Sequence, residues 1–197
     1  PNNFSLGRHN HLQGHVVPRI KKAGKCVRKA STSDLRIDRW DRSQKQGDSL
    51  IENYSTDGKP TVIDYGITHS LLHSYITNKE NARKRGFGAN VYATDKDRGY
   101  RKVITAKNLD LNYLSFTVET YGAFGDSTWK LINDLCDPRS HPDATKEHNP
   151  WNYPGPKRDF VLATGFAIQR GNAMMLSCAN SRRRSSRSPV RGKNAIN

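Results

Sequence analysis

Residues 48–68, DSLIENYSTDGKPTVIDYGIT, contain two apolar segments separated by a polar turn. The first segment begins at Asp48, and the second, PTVIDYGIT, is rich in β-branched side chains. Between them, Asp57-Gly58 is a dipeptide typical of tight turns between strands. The stretch therefore predicts a hairpin of two extended segments, across which Asp48 and Asp64 can approach each other.

Residues 8–23 predict an amphipathic helix ahead of this hairpin. Apolar side chains recur there at four-residue steps, the spacing of one helical face, at Leu12, Val16 and Ile20. Gly24 follows as a C-cap, and Pro18 is expected to kink or shorten the helix.

The rest of the chain predicts a mixed α/β order. The patterns indicate a strand at 25–30 and then a polar loop at 31–47, with Leu35, Ile37 and Trp40 as anchors. Helices within 78–108 and a strand at 113–122 are expected next, followed by a helix at 127–136 that is capped by Asp126 or Ser127. An irregular Pro-rich connection at 137–158 leads to an amphipathic helix at 160–178. We expect one α/β domain, residues 1–180, whose central mixed sheet of about four strands is flanked by helices. A disordered Arg/Ser-rich tail, residues 181–197, follows it.

The charge balance predicts a polyanionic partner. The 197 residues contain 33 Lys and Arg against 18 Asp and Glu, a net charge of +15. Such a field attracts nucleic acid and releases counterions from its phosphate backbone. A ribosomal or packaging protein has the same composition, so charge indicates the class of partner and leaves the task open.

The cysteine and apolar content of the chain indicates the cellular compartment in which it is expected. The three cysteines are far apart and form no CxxC pair, which favours a reducing intracellular compartment, the nucleus included, over a disulfide scaffold. No apolar run approaches the roughly 18 residues that a membrane helix requires. We therefore expect no membrane partner.

Two aspartates and a glutamate are candidates for catalysis. Phosphodiester cleavage uses a divalent cation held by hard oxygen ligands, and Asp48 and Asp64 on neighbouring strands are a minimal pair. Asp64 follows Val62 and Ile63, where an acid is costly unless it is paired or metal-bound. Asp48 is alternatively a turn acid, Asp64 a partner of a basic side chain, and Glu119 a third ligand or a structural partner of a base or backbone amide.

Several short motifs resemble the PD-(D/E)XK restriction-endonuclease-like superfamily, in the form found at the C-terminal end of non-LTR retrotransposon reverse transcriptases. These motifs are Gly47-Asp48 followed by SLI, VIDYGIT at 62–68, FTVETYG at 116–122, RGNAMML at 170–176 and the helix beginning HNHL at 9–12. The resemblance spans about residues 8–178. It implies a restriction-endonuclease-like sandwich and a retroelement-derived endonuclease that acts on DNA more than on RNA.

The resemblance also implies residue roles. Asp48 and Asp64 match the two acids that bind Mg²⁺ or Mn²⁺. The usual lysine two residues after the second acid is replaced by Gly66, and some relatives carry it on the following helix. Lys96 is the best match there, with Lys84 and Lys102 as alternatives. If no lysine reaches the site, the domain binds nucleic acid without cutting it.

The remaining basic residues predict the nucleic-acid surface, which comprises Lys84, Arg85, Arg98, Arg101, Lys102, Arg182, Arg183, Arg184 and Arg187. His9, His11 and His15 are interpreted as surface histidines near phosphate, because no third ligand completes a zinc site. Two alternatives stay open beside the endonuclease: a noncatalytic ribonucleoprotein component, and a coat-like packaging protein. Sequence preference and oligomeric state are open.

Overall fold

Helices and strands follow one another in the predicted order. The computed structural model describes residues 3–36, 47–72, 84–136 and 155–186. Within these residues the elements are α1 (Asn3–Lys22), β1 (Val27–Lys29), β2 (Ser49–Ile51), β3 (Thr61–Thr68), α2 (Phe87–Ala106), β4 (Asn112–Glu119), α3 (Asp126–Cys136) and α4 (Gly155–Ser186). The α/β class is thus confirmed.

The four strands form one mixed sheet in the order β1-β2-β3-β4. β2 pairs antiparallel with β1 and β3, and Ser49 lies opposite Ile63, as the hairpin prediction requires. β3 and β4 are parallel over their full length, from Thr61 opposite Asn112 to Thr68 opposite Glu119. A parallel pair needs a long crossover connection, and α2 lies in that connection.

Alternate residues of β3 face different helices, since side chains alternate across a strand. Ile63 and Tyr65 belong to the larger core cluster, which also contains Leu12, Val16 and Ile20 of α1, Phe116 of β4, Leu131 of α3, and Phe160 and Ile168 of α4. Val62 belongs to a smaller cluster with Tyr100 of α2. The sheet is therefore covered by α2 on one face and by the other helices on the opposite face.

The first helix follows the predicted pattern but is not shortened by its proline. Leu12, Val16 and Ile20 are fully buried, and Gly24 adopts the positive φ of 74° that suits a C-cap. Pro18 lies inside α1, which continues to Lys22. Pro18 is exposed, so the ring meets solvent and the helix loses one hydrogen bond without ending.

Local predictions near the smaller elements are confirmed at Leu35 and corrected at Ser127. Leu35 is buried as an anchor, whereas Ile37 and Trp40 lie outside the described residues. Ser127 does not cap α3, because its hydroxyl donates to the Ser115 carbonyl at 2.5 Å and the helix already begins at Asp126.

The last helix is longer at both ends than the sequence predicts. α4 begins at Gly155, so residues 155–158 are helical where an irregular connection was expected. Pro156 is no obstacle, since the first turn of a helix needs no backbone N–H from it. α4 also continues to Ser186, so its backbone is helical over residues 181–186, and residues 187–197 of the expected tail lie outside the described residues. Arginine is a good helix former and can extend a helix that packing has nucleated.

Candidate functional site

Asp48 and Asp64 lie next to the paired residues of β2 and β3. Ser49, which follows Asp48, is opposite Ile63, which precedes Asp64. The Asp48 backbone N–H also donates to the Ile63 carbonyl at 2.9 Å. The hairpin thus brings the two predicted acids close enough for the Asp48 carboxylate to raise the pKa of Asp64.

Asp64 is buried against α2. Asp64 is only 5% exposed, and each of its two carboxylate oxygens has a partner on α2. Lys96 Nζ makes an ion pair with Oδ2, and the Tyr100 hydroxyl donates to Oδ1 at 3.2 Å. Because Tyr92, Lys96 and Tyr100 are spaced four residues apart, one face of α2 presents them together to β3.

The electrostatics of this pair reflect burial. Burial raises the pKa of the Asp64 carboxyl, the Lys96 ammonium opposes that shift, and the nearby Asp48 carboxylate adds to it. Burial alone would lower the pKa of Lys96, but the Asp64 carboxylate outweighs it and the pKa lies above its ordinary value. The carboxylates of Asp48 and Asp64 repel each other, and a bound divalent cation reduces repulsion of this kind.

Position 66, where the resemblance implies a lysine, packs against the ring of Tyr92. A Cβ atom at position 66 would overlap Cε1 of Tyr92 and lie 3.0 Å from its Cδ1. A side chain there, lysine included, would require the Tyr92 ring to shift. Lys96 stands one turn after Tyr92 on the same helix and delivers its amine to Asp64 instead.

Asp48 is held from α1. His9 Nε2 lies 2.9 Å from Asp48 Oδ2, and the Tyr65 backbone N–H donates to the same oxygen at 2.7 Å. One turn along α1, Gln13 Nε2 donates to the Asp48 carbonyl at 3.1 Å. The hydrogen bond to Asp48 raises the pKa of His9 against the opposing effect of burial.

The two carboxylates are therefore held by helices on opposite faces of the sheet. Asp64 points toward α2, whereas Asp48 accepts the Tyr65 N–H and is reached by His9 of α1.

The donor set fits a hard cation with a partly open shell. Among the described residues, no group of three or more His, Cys, Asp or Glu side chains is arranged to hold a metal ion. Mg²⁺ is commonly bound by one or two carboxylates, with water and substrate phosphate completing the octahedron. Both hydrogen bonds to the Asp48 side chain fall on Oδ2, and neither uses Oδ1. Asp64 would share its oxygens with Lys96 and Tyr100.

Glu119 is not brought to this pair. It lies opposite Thr68, whereas Asp64 lies opposite Ser115, a separation of four residues or about 13 Å along the sheet. Its buried carboxylate accepts the Gly88 backbone N–H at 3.0 Å. Gly88 is in the first turn of α2, where N–H groups lack helical partners. Glu119 therefore caps α2.

The other predicted basic residues lie on the surface. Lys84 and Arg85 are exposed just before α2, and Arg98, Arg101 and Lys102 are exposed on it. Arg98 and Arg101 lie beside acids of the same helix, Asp95 at 3.7 Å and Asp97 at 2.5 Å. Arg182, Arg183 and Arg184 belong to the helical backbone of α4, and Arg187 lies outside the described residues.

The sequence interpretation missed His9 and Gln13. His9 was assigned to the surface, yet it stands three residues before Leu12 and so extends the apolar face of α1 by one turn. That position predicts contact with the sheet, which the structure shows at Asp48. Gln13, four residues later, reaches the same segment.

No protein-family model and no curated protein sequence matches the chain. The residues and their geometry therefore carry the argument for function. Within the described part of the chain, none of the helices has the length and apolar character needed to cross a membrane.

Proposed function

We propose that the chain is a metal-dependent endonuclease domain with a restriction-endonuclease-like fold, of retroelement origin, that acts on DNA in preference to RNA. One observation carries the proposal. Two acids, Asp48 just before β2 and Asp64 within β3, come close enough for the Asp48 carboxylate to raise the pKa of Asp64, and the amine of Lys96 is paired with Asp64.

The residues of the cluster have distinct roles in this proposal. Asp48 Oδ1 and the Asp64 carboxylate would hold Mg²⁺ or Mn²⁺, which when bound polarises a phosphate and supplies hydroxide near neutral pH. The Lys96 ammonium, which is paired with Asp64, would also stabilise the negative charge that develops on the phosphate. Tyr100 and His9 fix the two carboxylates, and Glu119 supports α2 from a distance.

The surface charge supports a nucleic-acid substrate. The net charge is +15, and α2, which carries Lys96, also exposes Arg98, Arg101 and Lys102. Cations on the helix that forms the site would draw a phosphate backbone toward it.

The test is nicking of supercoiled plasmid DNA by the purified full chain in Mg²⁺ or Mn²⁺, with EDTA as the blank. Asp48→Asn and Asp64→Asn should each lower the rate about a thousandfold, because several kcal/mol of transition-state stabilisation depend on the cation. Asp110→Asn is the matched control, since Asp110 is an exposed acid paired with Lys59. Equal nicking by Asp64→Asn and wild type, with the fold intact, would overturn the assignment.

One observation favours a noncatalytic nucleic-acid-binding domain as the second candidate. Each acid already has a protein partner able to carry positive charge, His9 for Asp48 and Lys96 for Asp64. A domain whose acids serve only these pairs would bind DNA with strong salt dependence and no requirement for Mg²⁺. Binding without nicking in either metal would select this candidate.

A further inference from the structure

An aromatic pair stands at the carboxyl end of the two parallel strands. Tyr121 is 65% exposed, and His69, also exposed, follows β3 directly. Their ring centroids are 5.6 Å apart with the planes at 86°, an edge-to-face contact. The His69–Tyr121 pair, called here the aromatic platform, thus presents an exposed aromatic surface whose tyrosine is braced by a neighbour.

The tyrosine is carried on a rigid turn. The Gly122 N–H donates to the Glu119 carbonyl at 2.8 Å, and the Glu119 N–H donates to the Ala123 carbonyl at 2.7 Å. The Thr120 N–H donates to the Thr68 carbonyl at 2.8 Å, which ties the turn to the end of β3. A fixed aromatic side chain loses little further entropy when a ligand ring stacks on it.

The described segments next to the platform carry exposed cations. Residues 66–72, 84–90 and 119–125 contain a single acid, Glu119, and its buried carboxylate accepts the Gly88 N–H. Lys84 and Arg85 are exposed. They are held close to the turn, because Gly86 packs directly on the Phe124 carbonyl. A ligand on the platform would therefore meet two cations and no exposed carboxylate from these segments.

The platform lies along the same strand as the proposed cleavage site. Thr68, beside the platform, is four residues from Asp64 along β3, about 13 Å. A series of contacts through α1 also connects the turn that carries Tyr121 to Asp48. Arg8 Nη1 donates to Asn172 Oδ1 at 3.3 Å, and Asn172 Nδ2 donates to the Thr120 carbonyl at 3.0 Å. The next residue, His9, contacts Asp48.

From these contacts we infer that the platform binds an unpaired nucleobase of a single-stranded segment, whose phosphates meet Lys84 and Arg85 and whose backbone leads toward Asp64. The inference deepens the proposed function and rests on it. Every base offers a π-face to an aromatic ring regardless of sequence. In a duplex the bases are stacked on one another, so the platform would select DNA with unpaired bases beside the cleaved bond.

The experiment measures binding by the full chain in EDTA, so that cleavage plays no part. One probe is a single-stranded DNA oligonucleotide containing a fluorescent base analogue, and the other is a blunt duplex of the same sequence. We expect the fluorescence of the base analogue to be quenched when the protein binds the single strand. Tyr121→Ala should weaken single-strand binding about tenfold to a hundredfold, as loss of one stacked base predicts, and leave duplex affinity within about twofold.

Two further variants make the test specific. Tyr121→Phe keeps the ring and should bind like wild type. Phe166→Ala removes another exposed aromatic, 72% accessible on α4, and should have no effect. Circular dichroism checks that each variant is folded. Wild-type binding that Tyr121→Ala leaves unchanged overturns the platform alone, whereas a wild type that binds neither probe overturns the proposed function with it.

Discussion

The ring of Tyr92 occupies the volume that a side chain at position 66 would need. A Cβ atom at Gly66 would overlap Tyr92 Cε1 and lie 3.4 Å from a methyl group of Thr117. The contact brings α2 close to β3 at the position where the resemblance implies a lysine. It also places Lys96, one turn further along, on Asp64. The absence of a side chain at position 66 and the approach of the Lys96 amine to Asp64 thus both accompany the close packing of α2 on β3.

Gly66→Ala should destabilise the fold by about 1 to 3 kcal/mol, the usual cost of overpacking a core. Chemical denaturation measures it. Gly99→Ala is the matched control on α2, where an added Cβ meets nothing within 4 Å and alanine should stabilise the helix slightly. Adding Tyr92→Ala to Gly66→Ala should recover part of the loss. Equal effects of the two glycine substitutions would contradict the packing argument.

Lys96→Met should cost about 3 to 5 kcal/mol, because it leaves the Asp64 carboxylate buried without its charge partner. The double variant Lys96→Met/Asp64→Asn removes both charges and should regain a large part of that stability. Unfolding free energies of the two single variants and the double variant measure the coupling. Simple additivity would show that the buried pair is not coupled as the ion pair requires.

Sequence periodicity predicts most of the framework because it reports burial directly. The α1 face of Leu12, Val16 and Ile20 follows from which side chains are buried. In β4 the alternation of apolar and polar residues predicts the strand but not its burial, because residues 114–119 are all buried. The adjacency of Asp48 and Asp64 follows from the hairpin between them, which is local in sequence. The extent of α4 does not follow, since its end residues are polar and continue a helix that packing holds elsewhere.

Contacts between distant segments cannot be predicted from the sequence pattern. His9 and Asp48 are 39 residues apart, and Glu119 reaches Gly88 across 31 residues. Neither residue type nor spacing indicates that Glu119 caps a helix, because a buried acid at a strand end is equally suited to a metal. The resemblance implies Lys96 as the amine at the site, but its ion pair with Asp64 joins residues 32 positions apart and follows from no local pattern.

Glu119→Ala should lower stability by about 1 to 3 kcal/mol, the cost of leaving the buried Gly88 N–H without an acceptor. Nicking by the folded variant should stay within about twofold of wild type. Glu119→Gln keeps an oxygen acceptor and should lose less stability. A plasmid-nicking assay beside thermal unfolding separates the two roles. Loss of nicking in a stable Glu119→Gln protein would give Glu119 a catalytic role.

Lys84→Ala and Arg85→Ala should each weaken DNA binding and reduce the slope of log affinity against log salt by about one. Both side chains are exposed beside the aromatic platform, where they would contact phosphates. Lys59→Ala is the control, because Lys59 Nζ lies 2.8 Å from Asp110 Oδ1. Titrations at several salt concentrations give the slopes. A slope unchanged in both variants would place the phosphate contacts elsewhere.

Asp34 should make stability depend on pH in the acid range. Its carboxylate accepts bonds from Arg28 Nη2 at 2.7 Å, Arg28 Nη1 at 2.9 Å and the Ser31 N–H at 2.6 Å. Arg28 lowers the pKa of Asp34 to about 2, with Ser31 assisting against the effect of burial. The folded state thus prefers the carboxylate. The stabilisation is complete above the unfolded pKa of about 4 and is lost as the pH falls toward 2.

Asp34→Asn tests this dependence. Because Arg28 is half-exposed, solvent screening limits the gain to about 1 kcal/mol at pH 7. Urea unfolding at intervals from pH 7 to pH 2 should show wild type more stable than Asp34→Asn at neutral pH, with the gap closing between pH 4 and pH 2. A gap that stays constant over this range would mean that the Asp34 carboxylate has the same proton affinity in the folded and unfolded chains.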